Sequence, residues 1–575
     1  MPIPSLRGRI RLDRPWYKKW PQTVPQVIEV PDIALHELLR RSTREHGDRP
    51  ALTFYGLTMT YRQLDEAADR FAAGLRKIGV RPGERVSLLL PNTPHFVVAF
   101  FGVLRAGGIV VQTNPLYTPR ELEQLYNDAG VETVIALDMF WHNLSKAKPN
   151  TGVKRVVVAD VKEYLRTPLR QLYPMKKRRD LKKAGHWPLD IPAVPWIFRF
   201  AQLLETAPAP GTEPPVRPAE DVAVLQYTGG TTGTPKGAML THRNLVANAL
   251  QAITWLGVRG PEKFLAAIPM FHVYGLTTVM LGPVALGAEV VLHPNPREIE
   301  AILKLINKTK PTIFPGVPTM YIAILRHPKV SNYDLRSIRT CISGAAALPN
   351  EIRQEFNRVT GGTLVEGYGL TEASPVTHAN PLQGGIVKEG IGVPLPNTDA
   401  KIVDIDDSTR ELPQGEAGEL AVYGPQVMKG YWNKPDETAL VLRGGWLLTG
   451  DIARMDEDGY FFIVDRKKDM IIASGFNVYP REVEEVLFMH PAVAEAAAIG
   501  VPDPYRGETV KAFVVLKAGT TATADDITAF CKERLAPFKV PKEIEFATDL
   551  PKSLIGKVLR RELRERELAK GKTAA

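Results

Sequence analysis

The chain is poor in cysteine. Cys341 and Cys531 are the only two in 575 residues. Two thiols cannot staple a chain of this size, and they cannot build a cysteine-rich metal site. A reducing, cytoplasmic compartment is expected. Long apolar runs are also lacking. Phe96–Val111 is interrupted by Arg105, and 273–292 carries Pro283 and Glu289. Neither holds an uninterrupted apolar run of the roughly 18 residues a spanning helix needs, so both read as core segments of a soluble fold. Residues 1–20 lack the apolar stretch of a signal peptide. A recognition motif for nucleic acid is missing too, although the net charge is +10.

That charge is local. Residues 1–20 hold six basic residues against one acidic. Residues 176–183 hold six against one, and residues 551–575 hold eight against three. Each segment is net +5, which leaves the remainder near −5. Such a pattern argues against a uniformly basic nucleic-acid binder. It describes a near-neutral body with three basic patches.

With 44% hydrophobic and 24% charged residues, a folded chain with a sizeable core is expected. The length calls for at least two domains. Over the first two-thirds, helical and strand patterns alternate. Leu64, Ala68, Phe71, Leu75 and Ile78 share one helical face, and Thr60 with Gln63 resembles a capping box before it. Apolar runs at 85–90, 109–112, 133–137, 155–159, 222–227, 289–292, 312–314 and 340–342 read as strands of open α/β sheets. Residues 206–220 are a Pro-rich surface linker. After about 396, short β-like runs and turns take over. Residues 466–575 read as a small α+β unit. The predicted fold is α/β: a large N-terminal domain, 1–465, of two α/β subdomains with a β-rich part at about 396–465, then a C-terminal domain, 466–575.

The strongest local signal is Tyr227-Thr-Gly-Gly-Thr-Thr-Gly-Thr-Pro-Lys-Gly237. It follows an apolar strand and precedes a helical segment starting near His242. Small residues let backbone N–H groups approach phosphate oxygens, while threonine hydroxyls and Lys236 add donors. The glycine and lysine spacing is not that of a Walker loop. Thr228, Gly229, Gly230, Thr231, Thr232, Gly233 and Lys236 are therefore candidate phosphate ligands.

With this loop, the chain resembles the acyl-adenylate-forming enzymes, which include acyl-CoA synthetases, adenylation domains and luciferases. Further motifs recur in the family's order from about 35 to 562. Pro269–Gly275 matches the segment lining the acyl pocket, which makes His272, Val273, Tyr274, Gly275 and Leu276 pocket candidates. Amino-acid-activating relatives usually carry Asp at 272 to hold an ammonium; His272 supplies no such charge. Some long-chain members gate the pocket with Trp where this chain has Leu276. Ser343–Pro349 resembles the adenine-side loop, with Gly344, Ala345 and Ala346 leaving room for a flat base. In Glu366-Gly-Tyr-Gly-Leu-Thr-Glu372, the resemblance assigns Glu366, Gly367, Tyr368 and Gly369 to the nucleotide. Tyr368 would stack on adenine, Thr371 would donate to the α-phosphate, and Glu372 would hold Mg²⁺. Asp451 would accept the ribose hydroxyls, with Arg466 a second ribose contact. Asp465 would be the hinge of a mobile C-terminal domain. Ser474, Gly475 and Phe476 would line the CoA path, and Lys557 would be the catalytic lysine.

The implied activity consumes a fatty acid, ATP and CoA. It forms acyl-AMP and pyrophosphate, then acyl-CoA and AMP. Bacterial long-chain fatty acid–CoA ligases are the nearest group within the family. A medium-chain or aryl acid ligase differs only in its pocket. A fatty acyl-AMP ligase would lack CoA transfer. A silent nucleotide- or lipid-binding module does not account for intact Lys236, Glu372, Asp451 and Lys557. Residues 161–177 resemble the long-chain group's insertion, with Leu165, Leu169, Leu172 and Tyr173 at near-helical spacing amid basic residues. Contact with an anionic membrane on its inner face is expected there, and a second such contact at residues 1–20. A homodimer is a further expectation.

Overall fold

A computed structural model describes residues 14–209, 211–228, 235–258, 261–473, 476–503, 507–553 and 558–573. Its largest sheet has eight strands. Arg85–Leu89, Ile109–Gln112, Thr133–Leu137, Arg155–Ala159 and Val222–Thr228 run parallel at its centre. These strands are Val/Ile-rich and almost wholly buried. Helices on both faces of a parallel sheet impose that composition.

The interrupted apolar run at 96–111 is a buried helix, Pro94–Arg105. Arg105 is fully buried, yet its guanidinium pairs with Asp65 and, at 2.8 Å, with Asp69. Both aspartates lie on the neighbouring helix Tyr61–Lys77. The charge that breaks the apolar run therefore clamps two helices together. The capping box forms as expected: Gln63 N–H donates to Thr60 Oγ1 at 3.2 Å and Thr60 N–H to Gln63 Oε1 at 3.0 Å.

Two four-stranded sheets follow, Lys263–Ala266 with Glu289–Leu292, Pro50–Phe54 and Leu57–Thr60, and Thr340–Ser343 with Thr363–Gly369, Val376–Ala379 and Val393–Pro394. The strand expected at 312–314 is shorter than predicted. Ile313 bridges Phe264 on one side and Thr340 on the other, which joins the two sheets. A five-stranded antiparallel sheet spans Asp399–Val403 to Phe461–Arg466, and a mixed five-stranded sheet begins at Ile471–Ala473 and includes the long hairpin Val493–Asp503 and Gly507–Leu516, the latter also pairing parallel with Glu543–Phe546. The architecture is mixed α/β, as expected.

Two basic segments are partly internal. Trp16 is fully buried and Trp20 nearly so. Arg14 pairs with Asp399 at 3.1 Å and Glu411 at 2.6 Å. From residue 14 onward this segment packs on the β-rich part; residues 1–13 lie outside the described residues. In the helix Leu169–Lys183, Lys177 turns inward to Asp138 (2.8 Å) and Asp160 (2.7 Å). Leu165 is buried, and Leu169, Leu172 and Met175 are exposed.

Candidate functional site

Of the phosphate-loop candidates, Thr228 and Lys236 stand on two paired strands. Val222–Thr228 pairs antiparallel with Lys236–Thr241, with Thr228 opposite Lys236. Gly229, Gly230, Thr231, Thr232 and Gly233 lie outside the described residues. The strand pairing places Lys236 at one side of a polar cluster. Its ammonium is paired with Glu437 and lies 5.4 Å from the centre of the Tyr431 ring. Tyr431 belongs to the short strand Gly430–Tyr431, which pairs with the Lys236 strand. Its phenol donates to Glu372 Oε1 at 2.7 Å. Burial and the Glu372 carboxylate both hold that phenol well above its ordinary pKa, so it stays a donor. Lys236 and Glu372, far apart in sequence, thus share one aromatic neighbour.

A second polar cluster links two other motifs. Tyr368 on Thr363–Gly369 donates its phenolic proton to Asp451 Oδ2. Asp451 stands opposite Arg466 in the register of Trp446–Met455 and Phe461–Arg466. Arg466 Nε lies 3.2 Å from Asp451 Oδ1. The carboxylate is buried and carries both contacts, a preorganised acceptor beside an aromatic ring.

A cleft brings three motifs together. His272, Val273 and Tyr274, Gly344 and Ala345, and Gly367, Tyr368, Gly369 and Thr371 line it. His272 caps the turn Val273–Gly275, its Nδ1 accepting from Tyr274 N–H at 3.2 Å. The Tyr274 phenol donates to the carbonyls of Ile342 (2.8 Å) and Gly316 (3.1 Å), fixing the turn against the 340–344 strand. Gly275 is required there, since a Cβ would lie 2.1 Å from the Pro269 carbonyl. Leu276 is fully buried and begins a π-helical turn, Leu276–Leu281. Ala345 adopts a left-handed backbone, φ 70°, and Ala346 is exposed beside it rather than in the cleft lining.

Glu366 faces a smaller cavity with Arg353 and Lys388. It accepts the Leu348 N–H at 3.1 Å. Burial pushes its carboxyl pKa up to about 7, with nearby Arg481 pulling the other way.

At the junction near 465, Asp465 accepts from the N–H groups of Arg466 (2.7 Å) and Arg481 (2.6 Å). It ties the end of one sheet to the start of helix Pro480–Phe488. Burial raises its carboxyl pKa, against the pull of Arg560. Arg560 itself pairs with Glu484 at 2.6 Å and Asp469 at 3.3 Å. Phe476 opens the strand Phe476–Val478. Ser474, Gly475 and Lys557 lie outside the described residues.

Sequence reasoning missed Tyr431, Glu437 and Trp255. Tyr431 opens a Tyr-Trp-Asn-Lys-Pro stretch with no periodicity or catalytic pattern, and Glu437 lies two residues beyond it. Trp255, in the last turn of His242–Leu256, reads as an ordinary apolar helix residue, yet it lines the cleft.

The family model for the AMP-binding enzyme matches residues 39–432, and that for the AMP-binding enzyme C-terminal domain matches 482–557. The chain is 49% identical to a long-chain-fatty-acid–CoA ligase of Bacillus subtilis strain 168, over 96% of this chain and 98% of that protein. It is 43% identical to the protein of that name in Salmonella typhimurium, over 97% and 98%. The crystal structure of the anthranilate CoA ligase AuaEII in complex with anthranoyl-AMP superposes with a TM-score of 0.80 at 30% identity, covering 94% of this chain and 98% of that one. Clustered motifs, architecture and near full-length similarity agree: the chain belongs to the AMP-binding enzyme family.

Proposed function

We propose that the protein is an AMP-forming ligase that joins a long-chain fatty acid to CoA. One observation carries the substrate class: the cleft that holds His272 and Thr371 continues between Ala252, Trp255, Ala379 and Leu395 without a charged side chain. An apolar tail fits there, and an ammonium has no counter-ion. The names of the two bacterial relatives support the same reading.

Two anions must meet, so charge neutralisation dominates the first step. Lys236 would exchange Glu437 for a phosphate oxygen, and Thr371 would donate to the α-phosphate. Asp451 would accept the ribose hydroxyls while Tyr368 stacks on adenine and Arg466 adds a ribose contact. The fatty carboxylate attacks the α-phosphorus and pyrophosphate leaves. Among the described residues no group of three or more metal-ligating side chains exists. Glu372 alone suits Mg²⁺, which takes one or two carboxylates with water and phosphate oxygens and supplies charge neutralisation when bound. Lys557 belongs to this half-reaction. The segment 466–575 would then turn about Asp465 and present Ser474, Gly475 and Phe476 along the CoA path. The thiol attacks the mixed anhydride, and AMP leaves.

The test is AMP release, dependent on ATP and CoA, across acids from acetate to stearate and across aromatic acids. Peak activity on stearate or palmitate is expected; a peak on benzoate or cinnamate overturns the assignment. Lys557→Ala should abolish acyl-AMP formation and spare thioester formation from supplied acyl-AMP. Equal loss of both sinks the two-conformation scheme.

The same proposal includes a peripheral site on the inner membrane face. Leu172 and Met175 are exposed on Leu169–Lys183, on the side that also carries Arg179, Lys182 and Lys183. Basic residues around exposed apolar ones suit an anionic interface. No helix among the described residues is long and apolar enough to cross a membrane. Sedimentation with phosphatidylglycerol vesicles, lost in Leu172→Glu/Met175→Glu, supports it; equal sedimentation of both proteins refutes it. Analytical ultracentrifugation of the same preparation reads the expected dimer.

A further inference from the structure

We propose that Trp255 is the end wall that sets acyl chain length, and that Trp20 holds it in place from behind. The inference rests on the fatty-acid reading of the cleft and adds the residue that limits its depth.

Side chains alternate across the strand Thr363–Gly369. Tyr368 turns its phenol to Asp451, on the ribose side. Gly367 leaves a side-chain-free patch beside it; the ladder shifts register between Tyr368 and Gly369, and Tyr368 and Gly369 also border the cleft. The cleft runs along that patch, with Ala379 directly opposite Gly367 in the register of the next strand. His272 and Thr371 mark its polar region. Trp255, with Ala379 and Leu395, belongs to the apolar cluster that also contains Trp16, Trp20 and Phe461. The volume available to an acyl chain is thus bounded by this cluster, and Trp255 is its largest side chain in the lining.

The indole is held from two directions. Its N–H donates to the Asn380 carbonyl at 3.0 Å. Trp20 meets it edge to face, with centroids 5.1 Å apart and ring planes at 74°. Trp20 is fixed in turn, its own N–H donating to the Val24 carbonyl at 2.6 Å. Trp16 anchors the same segment against Phe461 at 5.9 Å. A ring so constrained cannot swing aside for a longer chain. The brace comes from residues 14–24, before the region shared with the AMP-binding enzyme model at 39–432.

The experiment measures kcat/KM on the full-length protein for saturated acids from octanoate through stearate to arachidate. Trp255→Ala is expected to raise arachidate relative to laurate by about tenfold or more, since each methylene accommodated in an apolar pocket is worth at least that much discrimination. Trp20→Ala should move the profile the same way by less. Ala379→Leu, which fills the cleft from the opposite strand, should move it toward shorter acids. Trp255→Phe, which keeps an aromatic pair with Trp20, should fall between wild type and the alanine variant, and covers the case in which the alanine variant does not fold. If the wild type activates fatty acids and the normalised profiles of Trp255→Phe and Ala379→Leu superimpose on it, the end-wall assignment is overturned. A wild type that activates no fatty acid overturns the underlying functional reading instead.

Discussion

Glu366→Gln isolates one proton beneath the nucleotide motif. Glu366 is about nine-tenths buried and accepts a single N–H, from Leu348 at 3.1 Å. Burial raises its carboxyl pKa from an ordinary 4.5 to about 7. The folded protein therefore keeps this proton between pH 4.5 and about 7, where the unfolded chain has lost it. Over that window the folded state binds more protons, so stability falls as pH rises. Above about 7 both states are ionised and the whole cost is present. A shift of that size, at about 1.4 kcal/mol per unit, amounts to about 3 kcal/mol. Glutamine keeps the shape and the acceptor for Leu348 and does not titrate. Urea denaturation of both proteins at several pH values between about 4 and 8 reads the difference, and every other titrating group cancels. The variant should gain on wild type by about 3 kcal/mol across the window. Parallel stability curves would refute a buried proton at this carboxyl.

Three further outcomes follow from the geometry. Glu437→Gln removes the carboxylate that occupies Lys236, and KM for ATP should fall about two- to fivefold, the worth of a part-exposed ion pair; an unchanged or higher KM contradicts the exchange of partners. Arg560→Met leaves Glu484 and Asp469 without their shared cation, which should cost about 3–5 kcal/mol in urea denaturation. A loss below about 1 kcal/mol would mean that solvent already screens the group. Gly275→Ala forces a Cβ to within 2.1 Å of the Pro269 carbonyl and displaces the turn capped by His272. kcat/KM should drop by about a hundredfold, and near-wild-type rates would show that the turn does not position the site.

Much of the fold was legible because its determinants are local. The strands 109–112, 133–137, 155–159 and 289–292 form where their apolar runs begin and end. A fully buried parallel strand announces itself by continuous Val/Ile content. Thr60 and Gln63 close a capping box three residues apart. The strand expected at 312–314 shortens to bridges at Ile313, because its pairing depends on two neighbouring strands from elsewhere in the chain. Charge counting treats Arg14 and Lys177 as solvated, whereas acidic partners from distant parts of the chain neutralise both.

The sequence by itself determined the chemistry. Glycine, threonine, lysine and carboxylate at set spacing specify a nucleotide-handling family, because backbone reach and charge act within a few residues. Tertiary structure decided the shape of the pocket and the company each functional group keeps. Tyr431 connects Lys236 to Glu372, Glu437 occupies the lysine, and Trp20 braces Trp255. Each pairing joins residues remote along the chain, so no local pattern encodes it. It exists only once the sheets and the helix His242–Leu256 have brought those side chains within contact distance.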